Sequence, residues 1–265
     1  MMWVALAWAL PALARPAVVV ELFTSEGCSS CPAADARLLE WVEHPPVEGV
    51  DLIALSFHVD YWNALGWKDR FSSADFTARQ AHYTGPDSLY TPQAILDGSY
   101  VLTSDWEGAA NRLAEAAART KLALKLGARP NSTQGAEVEI GVPQADAHLW
   151  MALTEEGLSS QVTRGENRGR TLRHPPVVRW VKDLGPSAAG VRRVQLGLPE
   201  GAQGGRVHIV AWLEAPTTHR ILGASTVPWP SKQPLGNRPV GPAASALAAG
   251  PQCPLHRSEA TRACL

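Results

Sequence analysis

The sequence predicts an α/β domain with the element order βαβαββα, followed by a small all-β, sandwich-like domain. Three observations predict these classes. Residues 18–23 and 50–57 are largely apolar runs, typical of strands that are buried on both faces of a sheet. Segments of helical character follow both runs. Beyond residue 121 the pattern changes to short alternating runs between clusters of Gly, Pro, Asn and Asp, as in antiparallel β-structure.

The α/β part begins with a strand, a helix and a second strand. The helix has apolar residues at helical spacing between positions 38 and 42. We predict that it ends at His44-Pro45-Pro46, because proline cannot continue a helix. A right-handed crossover then places the strand at residues 50–57 parallel to the first strand.

A second helix and a β-hairpin come next. Ser73 is a good N-cap residue, and the helix is predicted to run from there to Tyr83 and to end before Gly85-Pro86. The hairpin is predicted over residues 93–102, with Asp97-Gly98 as its turn pair.

A third helix ends the α/β part, and the β-rich half follows it. Ser104 and Asp105 can cap this helix, which carries Trp106, Leu113 and several alanines. The strands predicted beyond it are residues 122–126, 136–142, 148–153, 191–198, 207–213 and 220–224.

The predicted organisation is a signal peptide at residues 1–14, an α/β domain at 15–120, a β-rich domain at 121–227 and a proline-rich, flexible tail at 228–265. The signal peptide is predicted because a short apolar stretch closes on Ala12-Leu13-Ala14, the small-x-small pattern of a signal-peptidase site. The alternative is an apolar N-terminal strand or helix. Export would place the protein in the periplasm or outside the cell, where disulfides persist.

Charge and hydrophobicity exclude two classes of partner. The 24 basic residues nearly balance the 25 acidic ones, so the chain lacks the basic character of a general nucleic-acid binder. No apolar run reaches 18 residues, and the sequence therefore predicts no membrane-spanning helix.

Cys28 and Cys31 are the residues most strongly indicated for chemistry. They belong to the segment Gly-Cys-Ser-Ser-Cys-Pro, which follows the first strand directly and opens the first helix. At a helix N-terminus the free N–H groups and the macrodipole stabilise a thiolate, the nucleophilic form of cysteine. Cys28 is therefore predicted to attack a substrate disulfide, and Cys31, one turn later, to resolve the mixed disulfide.

The pair Thr91-Pro92 supports the same site. It lies directly before the hairpin strand that is predicted to run antiparallel to the first two strands. The start of such a strand lies at the edge of the sheet where the parallel strands end. Pro92 is therefore expected to face Cys28.

Three segments in combination resemble a known family. They are ELFTSEGCSSCPAAD at residues 21–35, SFHVDYWNALGWKD at 56–69 and YTPQAILDG at 90–98. Together they look like domain of unknown function 1223, a family of secreted thioredoxin-like proteins. The resemblance extends from Val18 into the β-rich half, and it implies a thioredoxin-like α/β domain and an exported protein without naming a substrate.

The thioredoxin resemblance implies roles for three further residues. The family's cis-proline would be Pro92, whose bond with Thr91 would expose backbone to an extended substrate. Many relatives also place a buried acid before the cysteines that assists proton transfer, and Glu21 is the nearest acid here. Glu21 lies seven residues before Cys28 where the family usually has six, so its side chain can point elsewhere.

Three residues after the second strand are predicted as auxiliary site residues. His58 and Asp60 leave the sheet at the edge expected for Cys28, His58 as a proton shuttle or thiolate partner and Asp60 as the group that orients it. The alternative for this pair is a hydrogen-bonded cap of the loop that follows. Trp62 either covers the site and binds an apolar substrate or packs onto the domain, and packing is the favoured role.

Several polar residues are predicted to face solvent. They are Lys68, Asp69 and Arg70 in the aromatic loop, Arg79 and Gln80 on the second helix, and the charged turn at residues 164–170. The alternative for this turn is a contact with a partner or with the α/β half of the chain.

The leading functional prediction is an exported thiol-disulfide oxidoreductase. Its partners would be a protein or a small molecule that contains a thiol or a disulfide, and a redox partner protein. No cofactor and no metal are expected. Cys253 and Cys264, in the predicted tail, lack the spacing of zinc ligands, although they can close a local disulfide.

Two other functions remain open. One is a non-catalytic binding or structural module in which a Cys28–Cys31 disulfide acts as a clamp. The other is a hydrolase that uses Cys28, His58 and Asp60 as a triad. The hydrolase is the less favoured of the two, because Cys31 would trap its nucleophile as a disulfide.

Overall fold

The computed structural model describes residues 15–102, 106 and 108–231. The described helices are α1 (Cys31–Glu43), α2 (Ala74–Thr84) and α3 (Ala109–Ala118). The described strands are β1 (Ala17–Thr24), β2 (Asp51–His58), β3 (Gln93–Leu96), β4 (Tyr100–Leu102), β5 (Lys125–Pro130), β6 (Gly135–Val142), β7 (His148–Glu155), β8 (Ser159–Gln161), β9 (Thr171–Arg173), β10 (Val177–Pro186), β11 (Gly190–Gly197), β12 (Val207–Glu214) and β13 (Ile221–Pro228). The protein is thus a mixed α/β protein, and as far as α3 its strands and α-helices follow the predicted order.

Eight of these strands form one mixed sheet in the order β13-β12-β7-β10-β2-β1-β3-β4. β1 pairs with β2 in parallel and with β3 in antiparallel fashion, as the sequence predicts. A small antiparallel sheet has the order β11-β6-β5, and β8 pairs with β9 alone.

Alternation along β1 divides the α/β core into two halves. Val18, Val20 and Leu22 face α1 and α3, which contribute Leu38 and Leu113 to the same cluster. The residues between them on β1 face the other side, where Phe23 stacks on Phe57 at 5.3 Å between ring centroids and Phe57 meets Phe76 of α2. Successive positions in β1 therefore serve different layers of the molecule.

The strands of the β-rich half continue the same large sheet. β10 joins β2 in parallel, with Val177 opposite Ser56, and β7, β12 and β13 follow it. The large sheet therefore contains strands from both sides of residue 120, the predicted domain boundary. The small sheet packs on β7 and β12 through apolar side chains such as Ile140, Met151 and Ile209.

Three described strands, β8, β9 and β10, are not among those predicted. β8 and β9 contain only three residues each, too few to show a period. In β10 the register shifts between Val178 and Trp180, and a bulge of this kind changes the phase of the apolar alternation. The signal of this ten-residue strand is therefore weak in the sequence.

The start of α3 also differs from the prediction. The helix begins at Ala109 with Gly108 as its N-cap, and Trp106 precedes it with a positive φ of 57° and packs edge-on against Trp41. The predicted caps Ser104 and Asp105 lie outside the described residues, as do the predicted signal peptide and the cysteines at positions 253 and 264. None of the described helices is long and apolar enough to cross a membrane.

Candidate functional site

The two central cysteines form a disulfide at the turn from β1 to α1. Cys28 and Cys31 are bonded with their Cα atoms 5.4 Å apart, and Cys31 is the first residue of the helix. The turn is held by N–H groups: that of Cys28 donates to the carbonyl of Ser25, and that of Cys31 donates to the carbonyl of Cys28. Pro32 occupies the first helical turn, where its missing N–H removes no hydrogen bond. The strand-to-helix position predicted for these cysteines is confirmed.

The disulfide is covered by a distant part of the chain. Both cysteines are 0% exposed. Residues 162–170, which we call the cover loop, reach this segment through Asn167. The Asn167 amide donates to the carbonyl of Glu26 at 2.9 Å and to that of Cys28 at 2.8 Å. Access to the sulfur atoms therefore requires movement of a neighbouring segment.

One further hydrogen bond joins the cover loop to the cysteine segment, and another lies within the loop. The Ser29 N–H donates to Oε2 of Glu166 at 3.0 Å, and Arg170 donates to Oδ1 of Asn167 at 2.8 Å. The prediction of a solvated turn is wrong for Asn167, which is 0% exposed, whereas its neighbours in the loop are exposed. No local pattern indicates this role, because the amide and the carbonyl groups it binds are about 140 positions apart.

Thr91 and Pro92 lie where the sequence analysis places them, just before β3. The bond between them is cis, as the family resemblance implies. The indole N–H of Trp62 donates to Oγ1 of Thr91 at 2.7 Å, and a Cβ at Gly27 would lie 3.2 Å from that of Trp62. Trp62 therefore packs between the cysteine segment and the start of β3, which agrees with its favoured role.

A group of buried acids and histidines adjoins the cysteine segment. It consists of Glu26, Asp35, His58, Asp69 and His174, all at most 4% exposed. Nδ1 of His58 is 2.6 Å from Oδ2 of Asp69, and Nε2 of His174 is 3.2 Å from Oε1 of Glu26. The two imidazole rings meet edge to face with centroids 5.0 Å apart. We call this group the acid–histidine cluster.

The partner of His58 differs from the prediction. Asp69, expected in solvent, orients the imidazole and is 1% exposed. Asp60, the predicted partner, instead accepts a hydrogen bond from Thr77 of α2 at 2.6 Å and so caps the loop, the alternative role considered for it. The loop from residue 60 to 71 folds back onto the cysteine segment, and this brings Asp69 within 2.9 Å of the Glu26 N–H.

The side chains of the cluster differ in the direction in which their pKa values are shifted. Burial raises the pKa of the Asp35 carboxyl to about 6. Burial also disfavours the imidazolium of His58, but the Asp69 carboxylate outweighs this effect and raises the pKa of His58. The same contact outweighs the burial of Asp69 and lowers its pKa. Asp35 is thus an acid that can gain or lose a proton near neutral pH.

Glu21 does not belong to this cluster. It faces the α2 side of the sheet, where the Arg79 Nε lies 2.9 Å from its Oε1, and both side chains are buried. The residue six positions before Cys28 is Leu22, which faces α1. Alternation along β1 therefore directs Glu21 away from the cysteine layer.

The positions predicted for Arg79 and Gln80 are also wrong. Both side chains are buried, at 2% and 0% exposure, instead of forming a polar surface on α2. The Gln80 amide donates to the carbonyl of Tyr90 and to Oε1 of Gln93, so it fastens α2 to the segment that contains Thr91.

Sequence reasoning missed the other members of the acid–histidine cluster. For Asp35 a signal exists, because it lies four residues after Cys31 and shares its helix face. Its carboxylate accepts a hydrogen bond from Thr24 at the end of β1. His174 lies more than 100 residues further along the chain than the other members, and no spacing in the sequence indicates that it joins them.

The comparison with protein families identifies the chain. A family described as "Protein of unknown function (DUF1223)" matches residues 19–214. The chain belongs to the DUF1223 family. A search of curated proteins finds no match to this DUF1223 protein.

Solved structures similar to this DUF1223 protein include that of protein AGR_C_4864 from Agrobacterium tumefaciens. It has a TM-score of 0.62 and 29% sequence identity, over 83% of this chain and 97% of that chain. A domain of the outer membrane lipoprotein Omp28 from Porphyromonas gingivalis matches with a TM-score of 0.30 and 12% identity, over 42% and 89% of the two chains. OgpA from Akkermansia muciniphila matches with a TM-score of 0.24 and 15% sequence identity, over 41% of this chain and 29% of that chain. The last two scores are too low to indicate a shared fold.

Proposed function

We propose that this DUF1223 protein is an exported thiol-disulfide oxidoreductase of the thioredoxin type. The observation that carries the proposal is the Cys28–Cys31 disulfide at the start of α1, with the buried Asp35 carboxyl one turn further along the same helix. The match to the DUF1223 family names no reaction. The chemistry is therefore inferred from this site.

The reaction exchanges one disulfide for another. In the reducing direction the thiolate of Cys28 attacks a substrate disulfide, forms a mixed disulfide and releases one substrate thiolate. The thiolate of Cys31 then attacks the Cys28 sulfur, which releases the second substrate thiolate and restores the Cys28–Cys31 disulfide. Two electrons pass from the cysteine pair to the substrate, and a dithiol redox partner returns them. The oxidising direction is the reverse of these steps.

Asp35 is suited to accept the proton of Cys31. The two residues are four positions apart on α1, so their side chains share one face of the helix. A carboxyl with a pKa near 6 is ionised in most molecules at neutral pH and can be protonated at small cost. Asp35 would thus take the role that the family resemblance assigned to Glu21.

The proposed substrate is a protein or small molecule that contains a disulfide or a thiol. Thr91 and Pro92 would present backbone to it, and the half-buried Trp62 beside Thr91 would border the same surface. The cover loop must move before the substrate reaches the sulfur atoms. Export is proposed because a cysteine pair held as a disulfide suits an oxidising compartment such as the periplasm.

One observation favours a second function, a binding or structural module with the disulfide as a clamp. Cys28 and Cys31 are both completely buried, as inert structural disulfides commonly are. For the Cys/His hydrolase there is no comparable support, since the Cys28 sulfur is bonded to Cys31 and Asp60, the predicted third member of the triad, pairs with Thr77.

A reduction potential combined with an activity assay distinguishes these functions. Equilibration with glutathione should give a potential between about −120 and −270 mV, the range of redox-active relatives, and the protein should reduce insulin disulfides. The Cys28→Ser variant should lose this activity, and Cys31→Ser should accumulate the mixed disulfide. The control, Cys253→Ser/Cys264→Ser, should keep the activity. A potential below about −300 mV together with no insulin reduction would identify a structural clamp.

A further inference from the structure

Two histidines and one glutamate meet outside the cysteine segment. His82 lies in the last turn of α2, Glu214 is the last residue of β12, and His219 lies in the turn between β12 and β13. Two separate parts of the chain, α2 and the β12–β13 hairpin, therefore supply the three ligand-type side chains. None of these residues takes part in the proposed redox reaction, so the inference below is independent of it.

The ligand atoms converge on one carboxylate oxygen. Oε1 of Glu214 is 2.6 Å from Nε2 of His82 and 3.2 Å from Nδ1 of His219. All three atoms lie within 4.8 Å of one another, and the two imidazole rings are 4.2 Å apart between centroids. Ligands about 2.0–2.2 Å from one zinc ion are separated by just over 3 Å. A small movement of the imidazole rings away from Glu214 would therefore bring the three atoms to the spacing that a zinc ion requires.

The charge around Glu214 favours an added cation. Two buried carboxylates, Glu21 and Glu214, share one buried guanidinium, that of Arg79. The two acidic side chains outnumber the one guanidinium that contacts them, so this buried group contains an excess of acidic groups. A divalent ion at Oε1 would compensate it.

The ligand side chains are held by their surroundings. Oε2 of Glu214 is 2.7 Å from Nη1 of Arg79, which leaves Oε1 directed towards the histidines. Arg79 is itself held between rings, with its Cζ 4.4 Å from the centroid of Trp150. Partners of this kind orient the ligands of metal sites and increase their affinity.

The turn that carries His219 is equally constrained. His219 has a positive φ of 57°, and its N–H donates to the carbonyl of Ala215. Its carbonyl lies so close to Gly98 that a Cβ there would be only 1.9 Å away. The Asp97-Gly98 turn between β3 and β4 therefore packs directly against the backbone of His219 and fixes the position of its imidazole.

We propose that His82, Glu214 and His219 bind a divalent transition-metal ion, with Zn²⁺ as the expected ion. Two imidazole nitrogens and one carboxylate oxygen are a ligand set that proteins use for zinc, with a fourth position left for water or another ligand. The histidine side chains are 37% and 27% exposed, so an ion can reach the site from solvent. Bound zinc would join α2 to the β12–β13 turn.

Calorimetric titration with zinc chloride tests the proposal. The protein should be untagged and oxidised, in a Cys253→Ser/Cys264→Ser background, so that neither a tag nor free thiols supply ligands. We expect one zinc ion per chain and a higher melting temperature with zinc, since the ion binds the folded state. Cobalt in place of zinc should give the visible absorption of a four- or five-coordinate site.

Matched variants assign the binding to these residues. His82→Gln keeps a helix-forming residue and His219→Asn keeps one that tolerates positive φ, so both should fold. Each should weaken zinc binding by more than about tenfold, the least expected when a ligand is lost. His148→Gln, which alters a histidine paired with Asp183 at 2.8 Å, should leave the affinity unchanged. No zinc binding by the parent protein, or binding that both ligand variants retain, would overturn the proposal.

Discussion

Asp35 owes its properties to its position on α1 and at the end of β1. It shares a helix face with Cys31 and accepts a hydrogen bond from Thr24, and no cation pairs with it directly among the hydrogen bonds and ion pairs of the described residues. Burial therefore dominates its ionisation and raises its pKa to about 6. Asp69, also buried, has His58 as a direct partner, and its pKa is lowered. Two acids of one cluster thus differ because only one of them contacts an imidazole.

The raised pKa of Asp35 makes stability depend on pH. Its value in the folded protein, about 6, exceeds the ordinary 3.8, so the folded state binds the proton more tightly. The stability that this gives is fully present below about pH 4 and is lost as the pH rises through about 6. The difference between these two pKa values corresponds to about 3 kcal/mol in the free energy of unfolding. Asp35→Asn cannot ionise, so its stability relative to the parent should increase by about this amount between pH 4 and pH 7.

Urea unfolding at pH 4, 5 and 7 measures this difference. Asp51→Asn, which alters an exposed acid, should change stability by less than about 0.5 kcal/mol at each pH. Asp35→Asn should also slow insulin reduction by about 100-fold, because Cys31 would lose its proton acceptor. A stability difference that is the same at all three pH values would contradict the assigned pKa.

At the scale of elements, the cover loop decides whether the cysteine pair can react. The loop joins the β-rich part of the chain to the cysteine turn through the Asn167 amide, which donates to the carbonyls of Glu26 and Cys28. Most residues of the loop are exposed, and its only buried side chains are those of Val162 and Asn167. Such a segment can open without unfolding the sheet. We therefore expect opening of the loop to control access to the disulfide, which is completely buried when the loop is in place.

Removal of the Asn167 amide should expose the disulfide. Two hydrogen bonds at about 1 kcal/mol each give about 2 kcal/mol, so Asn167→Ala should accelerate reduction of the disulfide by dithiothreitol by about 30-fold. The rate is followed by the appearance of free thiols. Arg168→Ala alters an exposed residue of the same loop and should leave the rate unchanged. Equal rates for the parent and Asn167→Ala would mean that the loop does not limit access.

At the scale of the whole molecule, one sheet and one buried ion network unite the two halves of the chain. β10 extends the sheet from β2, and Arg79 connects Glu21 on β1 with Glu214 on β12. All three side chains of this network are at most 2% exposed. The network spans parts of the sequence that composition alone assigns to separate domains, so the described residues should unfold together.

Replacement of Arg79 tests this unity. Arg79→Met leaves two buried carboxylates without their guanidinium, so the free energy of unfolding should fall by about 3–5 kcal/mol. Circular dichroism and tryptophan fluorescence should still show one coincident transition. Arg37→Met breaks an exposed pair with Glu40 and should cost less than about 1 kcal/mol. Two separate transitions, or a loss as small as that of the control, would show that the halves are independent.

Local sequence patterns predicted the elements of the α/β part and the place of the cysteines. Apolar runs and helical spacing predicted β1, α1 and β2. Each predicted end lies within two residues of the observed end. Ser73 is the N-cap of α2 as predicted, and its side chain accepts the Asp75 N–H. Such features follow from interactions between residues a few positions apart, and a single sequence displays them directly.

Which polar groups meet depends on long-range contacts in the folded chain. The side chain of Glu21 points to the α2 side of the sheet because successive residues of β1 face opposite sides. Asp69 is buried because the loop at residues 60–71 folds back onto the cysteine segment. Asn167 is placed by a contact with Cys28, 139 positions away in the sequence. The union of the β-rich strands with β2 in one sheet is likewise a long-range pairing. Contacts of this kind gain their free energy from burial and charge pairing in the folded chain, and no local periodicity encodes them.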